Sequence, residues 1–234
     1  MTTLLSLIQQ LREDRLSEPT PGFWSDETLR RYIDTAVRDI ARQTKCFTVE
    51  GSVSIVAGTQ TYDLPTNLCA VIEPCTYTPT GSSLKYPLEA VDYAYARHAW
   101  GVNSAISTGV PLQFATRDYP SPAVDALQLL LFPIPSQAGT LHIQYAKIPT
   151  ALASDGSDDA SDVDLPTGWE DVALDYAEYR AWSKSRSPDA APRAATALQA
   201  YRDNLGALNV TSARWSTQGG RVQFDQFWPV NGEW

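Results

Sequence analysis

The residues best spaced for chemistry lie in the acidic run TALASDGSDDASDVD at 150–164. Asp155, Ser157 and Asp159 alternate as the early oxygen ligands of a calcium loop do. Such a loop also requires a glycine at its sixth position and a bidentate glutamate at its twelfth, and here those places hold Ala160 and Pro166. The run is therefore expected to be a solvated acidic linker over 150–166, open to shortening because loop closure depends only weakly on length. His98 and His142 fall in different predicted elements, and neither has zinc-ligand spacing with a cysteine. Cys46, Cys69 and Cys75 are odd in number and cannot all pair. Reduced thiols from a cytosolic assembly environment are expected, with a Cys69–Cys75 disulfide as the alternative. The chain has no phosphate-cradling Gly-Lys-Ser/Thr loop and no G-x-S-x-G elbow. Paired carboxylates for hydrolysis are a matter of separation in space. With no residue in positive support of turnover, the chain is read as a non-enzyme with no catalytic residue, metal site or cofactor. A hydrolase of unknown type is the third-ranked reading.

What remains unexplained is aromatic. Between Thr211 and Trp234 stand Trp215, Phe224, Phe227, Trp228 and Trp234, with Arg221 among them and Gly219-Gly220 between. No helical period runs through this stretch, and Val222 and Phe224 are two apart, as on one face of a strand. An extended tail over 210–234 is expected to dock on a neighbour or a larger partner, by adding a strand or by seating aromatic anchors in grooves. Folding back onto its own subunit is the alternative.

Composition narrows the classes. Hydrophobic content of 43% and charged content of 19% describe a globular chain. A net charge of −9 opposes tight nucleic-acid binding, which needs a basic footprint to release counterions. It does not oppose nearness to DNA, since an acidic wall repels phosphates and lets them slide. No apolar run has the length of a bilayer span. The opening MTTLLSLIQQLREDRL reads as a helix rather than a signal peptide, with Leu4, Leu5, Ile8 and Leu11 on one face.

These residues must be positioned by a small set of elements. Trp24 to Lys45 carries Leu29, Tyr32, Ile33, Ala36, Val37, Ile40 and Ala41 at helical spacing. Ser25 is placed to cap it, and Asp34 to pair with Arg38. Leu29, Ile33, Ala36, Val37 and Ile40 are the expected helical core. From 46 to 149 the period changes to short strands separated by turns, with a brief helix before Gly101. Pro74 suggests that the strand Leu68–Tyr77 lies at an edge or ends early. Helical patterns resume over 167–209, where Tyr179 and Trp182 widen the apolar face of the first helix. The expected class is α+β: a helical bundle of the N-terminal (1–45) and C-terminal (167–209) helices, with an inserted antiparallel β-sandwich or barrel-like domain and the extended tail.

The order of phrases carries a resemblance. A leading helix, the FWSDE entry and the long amphipathic helix are followed by YDLP at 62–65, GVP at 109–111, LLLFPIP at 129–135, IQYAKIP at 143–149 and LPTGWEDVALDYAEY at 165–179. From about Phe23 to about Leu208 the chain resembles the head–tail adaptor (connector) proteins of tailed bacteriophages. The resemblance implies a structural protein of the virion neck, assembled in the host cytoplasm as a homo-oligomeric ring, a dodecamer in the virion. It implies as partners the portal protein, met through the C-terminal region, and a downstream tail, nozzle or stopper protein. DNA would pass through without specific binding, and no membrane is involved. The second reading is a tail- or fibre-associated β-domain that binds receptor glycans, which would require exposed aromatics such as Tyr77, Tyr86 or Tyr119 on the β-domain.

Overall fold

The computed structural model describes residues 2–18, 22–100, 107–118, 127–153, 156–157, 159–166 and 168–216. The chain is mixed α+β, with five α-helices and a nearly closed, barrel-like sheet among the described residues.

Helix α1 (Leu4–Gln10) is capped by the Thr3 hydroxyl, which accepts from Ser6 N, and continues as a π-helical turn over Leu11–Leu16. It buries Leu4, Leu7, Ile8 and Leu11 while Leu5 is 44% exposed. The expected face is thus rotated: Leu7 completes the i, i+3, i+4, i+7 stripe and Leu5 lies off it. Helix α2 (Asp26–Thr44) begins where Ser25 was expected to cap it, with the Ser25 hydroxyl accepting from Thr28 N at 3.3 Å. Arg38 pairs with Asp34 at 3.9 Å. Leu29, Ile33, Ala36 and Ile40 are fully buried and Val37 nearly so. Leu29, Ile33 and Val37 pack with α1 and with Leu174, Ala177 and Ala181 of α4 (Glu170–Lys184). Ala36 and Ile40 pack instead with Val172, Ala173, Tyr201 and Leu205, the last two from α5 (Ala190–Ser216). One helix thereby divides its stripe between two small cores.

The strands are β1 (Thr48–Ile55), β2 (Thr61–Asp63), β3 (Leu68–Pro79), β4 (Tyr86–Ala90), β5 (Thr108–Gly109), β6 (Gln113–Asp118), β7 (Leu127–Phe132), β8 (Ile134–Pro135) and β9 (Gly139–Lys147). Seven of them form one sheet in the order β1-β9-β3-β4-β6-β7-β2, and β5 pairs with β8 apart from it. The two ends of the sheet meet at the β1–β2 turn. There the Tyr62 hydroxyl lies 2.9 Å from Val56 O and accepts from Val56 N at 3.2 Å. Ile55, Tyr62, Cys75, Tyr77, Leu129, Leu131, Leu141 and Ile143 fill the interior. Gly139 lies where β9 crosses β3, and a Cβ there would stand 2.4 Å from Thr78 O.

Two expectations about this region are corrected. The sheet is not wholly antiparallel: β4 and β6 run parallel, as do β5 and β8. A parallel pair needs a long crossover, and the stretch containing α3 (Tyr93–Trp100) supplies it between β4 and β6. Helix α3 packs its Ala96 with Ala115, Leu130 and Phe132. Pro74, in turn, sits neither at an edge nor at a strand end. β3 lies between β9 and β4, and its register with β9 shifts between Ile72 and Thr76. A bulge is the one interior place where a missing N–H leaves no gap in the ladder.

The acidic run 150–166 is also not a free solvated linker. The Arg30 guanidinium donates to both Asp159 carboxylate oxygens, at 2.7 and 2.6 Å. Leu4 N and Leu5 N donate to Ser161 O and Asp159 O. Val163 enters the core beneath α1 and α2. An acidic composition does not reveal such ties, because a carboxylate looks the same in sequence whether it faces water or an arginine.

Helix α5 overruns its expected end near 209 and continues to Ser216. The apolar period fades after Leu208, but helix propagation needs only a chain without breakers, and the next glycines are Gly219-Gly220. Trp215 therefore stands on the last turn of α5 and not in an extended tail.

Candidate functional site

Trp24 and Trp182 meet at the surface of the helical side. A groove lies between the end of the π-helical turn and the end of α4, lined by Leu16, Glu18, Phe23, Trp24, Trp182 and Ser185–Ser187. Its floor is aromatic: the rings of Phe23 and Trp24 meet edge-on at 4.5 Å, and those of Trp24 and Trp182 at 6.5 Å. Trp24 is buried, whereas Phe23 is 70% exposed. The two adjacent rings are therefore used differently. Trp24 joins the core and Phe23 is left standing at the groove.

Arg12 holds this arrangement. It is 4% exposed although charged, and its guanidinium donates to Trp24 O at 2.6 Å and to the Asp26 carboxylate, with Glu18 at 3.4 Å. The Glu18 carboxylate accepts in turn from the backbone N–H groups of Phe23 and Trp24. A buried guanidinium is tolerated only with its donors satisfied, and satisfying them fixes the loop that presents both rings. At the other wall Trp182 Nε1 donates to Glu178 at 3.3 Å, and the Arg193 guanidinium lies over the indole at 4.7 Å from its centre. Arg186 lines the groove and is exposed.

Behind the groove, Arg15 stands among Asp171, Asp175 and Glu178 at 3.4, 3.1 and 3.8 Å. Asp175 is buried and accepts from Asn204 of α5 at 2.8 Å. Burial pushes the carboxyls of Asp175 and Glu178 upward, against the opposing pull of their hydrogen bonds and of Arg15. Tyr201 is raised by burial and by its bond to the Asp39 carboxylate, so it remains a donor that ties α5 to α2. These groups pair helix with helix. None stands beside a nucleophile with an orienting base.

The other candidates are dispersed. Asp155 lies outside the described residues, and Asp159 is taken by Arg30. His98 and His142 are both exposed, one on α3 and one on β9. Among the described residues no three His, Cys, Asp or Glu side chains cluster as metal ligands would. No disulfide joins Cys46, Cys69 and Cys75. Of the aromatics that a glycan platform would need, Tyr77 is 1% exposed in the barrel interior and Tyr119 lies outside the described residues. Of the docking residues expected near the C-terminus, Trp215 is on α5. Arg221, Phe224, Phe227, Trp228 and Trp234 lie outside the described residues. No helix among the described residues is long and apolar enough to cross a membrane.

The sequence reading missed the groove. Its one trace was the widening of the α4 face by Trp182, which signals a second neighbour without saying that the neighbour is Trp24, 158 positions earlier.

No curated protein matches the chain. The sequence profile of one family, the SU10 adaptor protein, matches residues 2–223, nearly the whole length. A profile match over so much of the chain settles the family: the chain belongs to the SU10 adaptor protein family.

Proposed function

We propose that this protein is the head–tail adaptor of a tailed phage, a ring that joins the portal to the tail and continues the channel for DNA. The observation that carries the reading is the family match across residues 2–223, which takes in helices, barrel and linker together. In this reading the N- and C-terminal helices form one bundle facing the portal, and the β-domain over 46–149 faces outward or toward the tail. The ring is a dodecamer in the virion, built in the host cytoplasm, with a downstream tail, nozzle or stopper protein below it. The net charge of −9 suits a wall along which DNA slides without being gripped. The residues after α5 reach beyond their own subunit, with Arg221, Phe224, Phe227, Trp228 and Trp234 as the docking set and Trp215 at its root. The protein does no turnover.

The test is the mass of the protein in solution, alone and mixed with portal rings. A discrete complex with portal, carrying a fixed number of adaptor copies, is expected. A chain that stays separate from portal at every concentration overturns the reading.

A further inference from the structure

The geometry points to the Trp24–Trp182 groove of one subunit as the seat of the C-terminal aromatic segment, Phe224–Trp228, of the neighbouring subunit. This rests on the ring reading and deepens it by naming the contact that links one copy to the next.

The groove is built to receive something aromatic and acidic. Phe23 presents an exposed ring edge-on to Trp24, which in turn meets Trp182, so a further aromatic ring can pack against Phe23. Arg186 lines it with no ion-pair partner among the described residues, and Arg193 stands over Trp182. The segment FDQFW at 224–228 offers three aromatic rings about one carboxylate, Asp225. Anchors of this kind in a pocket supply most of the energy of an interface.

Chain length weighs against the segment of the same chain. The groove lies at the start of α5, since Arg193 rests on Trp182. From Arg193 to the end of α5 at Ser216 the helix rises about 35 Å, at ~1.5 Å per residue. Phe224 is eight residues beyond Ser216 and can reach at most about 29 Å, at ~3.6 Å per residue. Its own groove is out of range. Phe227 and Trp228 could return there only as a taut line running straight back along α5. A second copy faces no such limit. A segment leaving one subunit and seating on a different surface of the next is a heterologous contact, the kind that closes into rings.

The test uses the full chain with the half-buried native thiols removed (Cys46→Ser, Cys69→Ser), carrying Ser187→Cys at the groove wall and Gln226→Cys within the segment, alone and combined, oxidised after mixing with portal. The double variant is expected to give covalent multimers, while each single variant does not. Phe227→Ser, in a residue outside every core described above, is expected to raise the concentration for half-assembly at least about thirtyfold, the loss of one anchor of 2 kcal/mol or more. Double-variant chain that forms rings and joins portal without any crosslink between copies, or with crosslinks only within one chain, overturns the groove assignment and leaves the ring reading intact. Wild-type chain that forms no complex with portal overturns both.

Discussion

The barrel and the helices are held together by different means. The interior of the barrel is filled from strands within one continuous stretch, Ile55 to Ile143, and its buried residues are apolar apart from the tyrosine hydroxyls and the Cys75 thiol. The helical side is assembled from both ends of the chain. It buries Arg12, Thr44 and Asp175, and it depends on pairs that span 129 positions for Arg30–Asp159 and 162 for Tyr201–Asp39. Apolar packing tolerates many arrangements of similar volume, whereas a buried ion accepts one. The barrel is therefore suited to carry shape. The helical side is suited to hold the loop that presents Phe23 and Trp24 in a single geometry.

The sharpest way to break this comparison is in the helical core. Ile40→Ala removes a fully buried side chain between α4 and α5 and is expected to cost about 2–5 kcal/mol in a urea melt followed by helical circular dichroism. A loss within the noise of the melt would contradict the packing of α2. The next effect concerns Arg12. Arg12→Ala is expected to cost about 1.5–3 kcal/mol, because the bonds to Asp26, Glu18 and Trp24 O are lost together. Lys147→Ala, which breaks the exposed pair with Asp164, should shift stability by no more than about 0.5 kcal/mol. Equal costs for the two would mean that burial of the guanidinium is not what matters.

The acidic run gives a smaller effect. Asp159→Ala is expected to cost about 1 kcal/mol through Arg30, and calcium should leave the melting temperature of the wild type unchanged. A clear rise with calcium would restore the ligand reading of Asp155, Ser157 and Asp159. Smallest is the dependence on pH. The folded-state pKa of Asp175 is raised by burial, so just above the ordinary carboxylate range the folded chain binds more protons than the unfolded one. Stability contributed by this group is therefore greatest at low pH and falls as pH rises through the raised value. Asp175→Asn should flatten that slope without removing it, since Glu178 is shifted in the same direction. An unchanged slope between about pH 4 and pH 7 would show that Asp175 does not titrate as its burial requires.

By itself the sequence determined the local elements and the family. The 3.6-residue stripe of α2, the Ser25 cap and the Asp34–Arg38 pair are properties of neighbours along the chain, and they stand as the pattern said. The order of strand phrases identified the family for the same reason, since order is a property of the chain. Only the tertiary structure decided the rest. Leu5 and Leu7 exchange roles because the phase of a stripe is set by what it packs against. Pro74 is admitted to a central strand because β9 slips past it. Asp159 meets Arg30, and Trp24 meets Trp182, because distant segments converge on one face. Period and capping are local and can be read from spacing. Partnership between residues more than a hundred positions apart is settled by which surfaces the folded chain brings together.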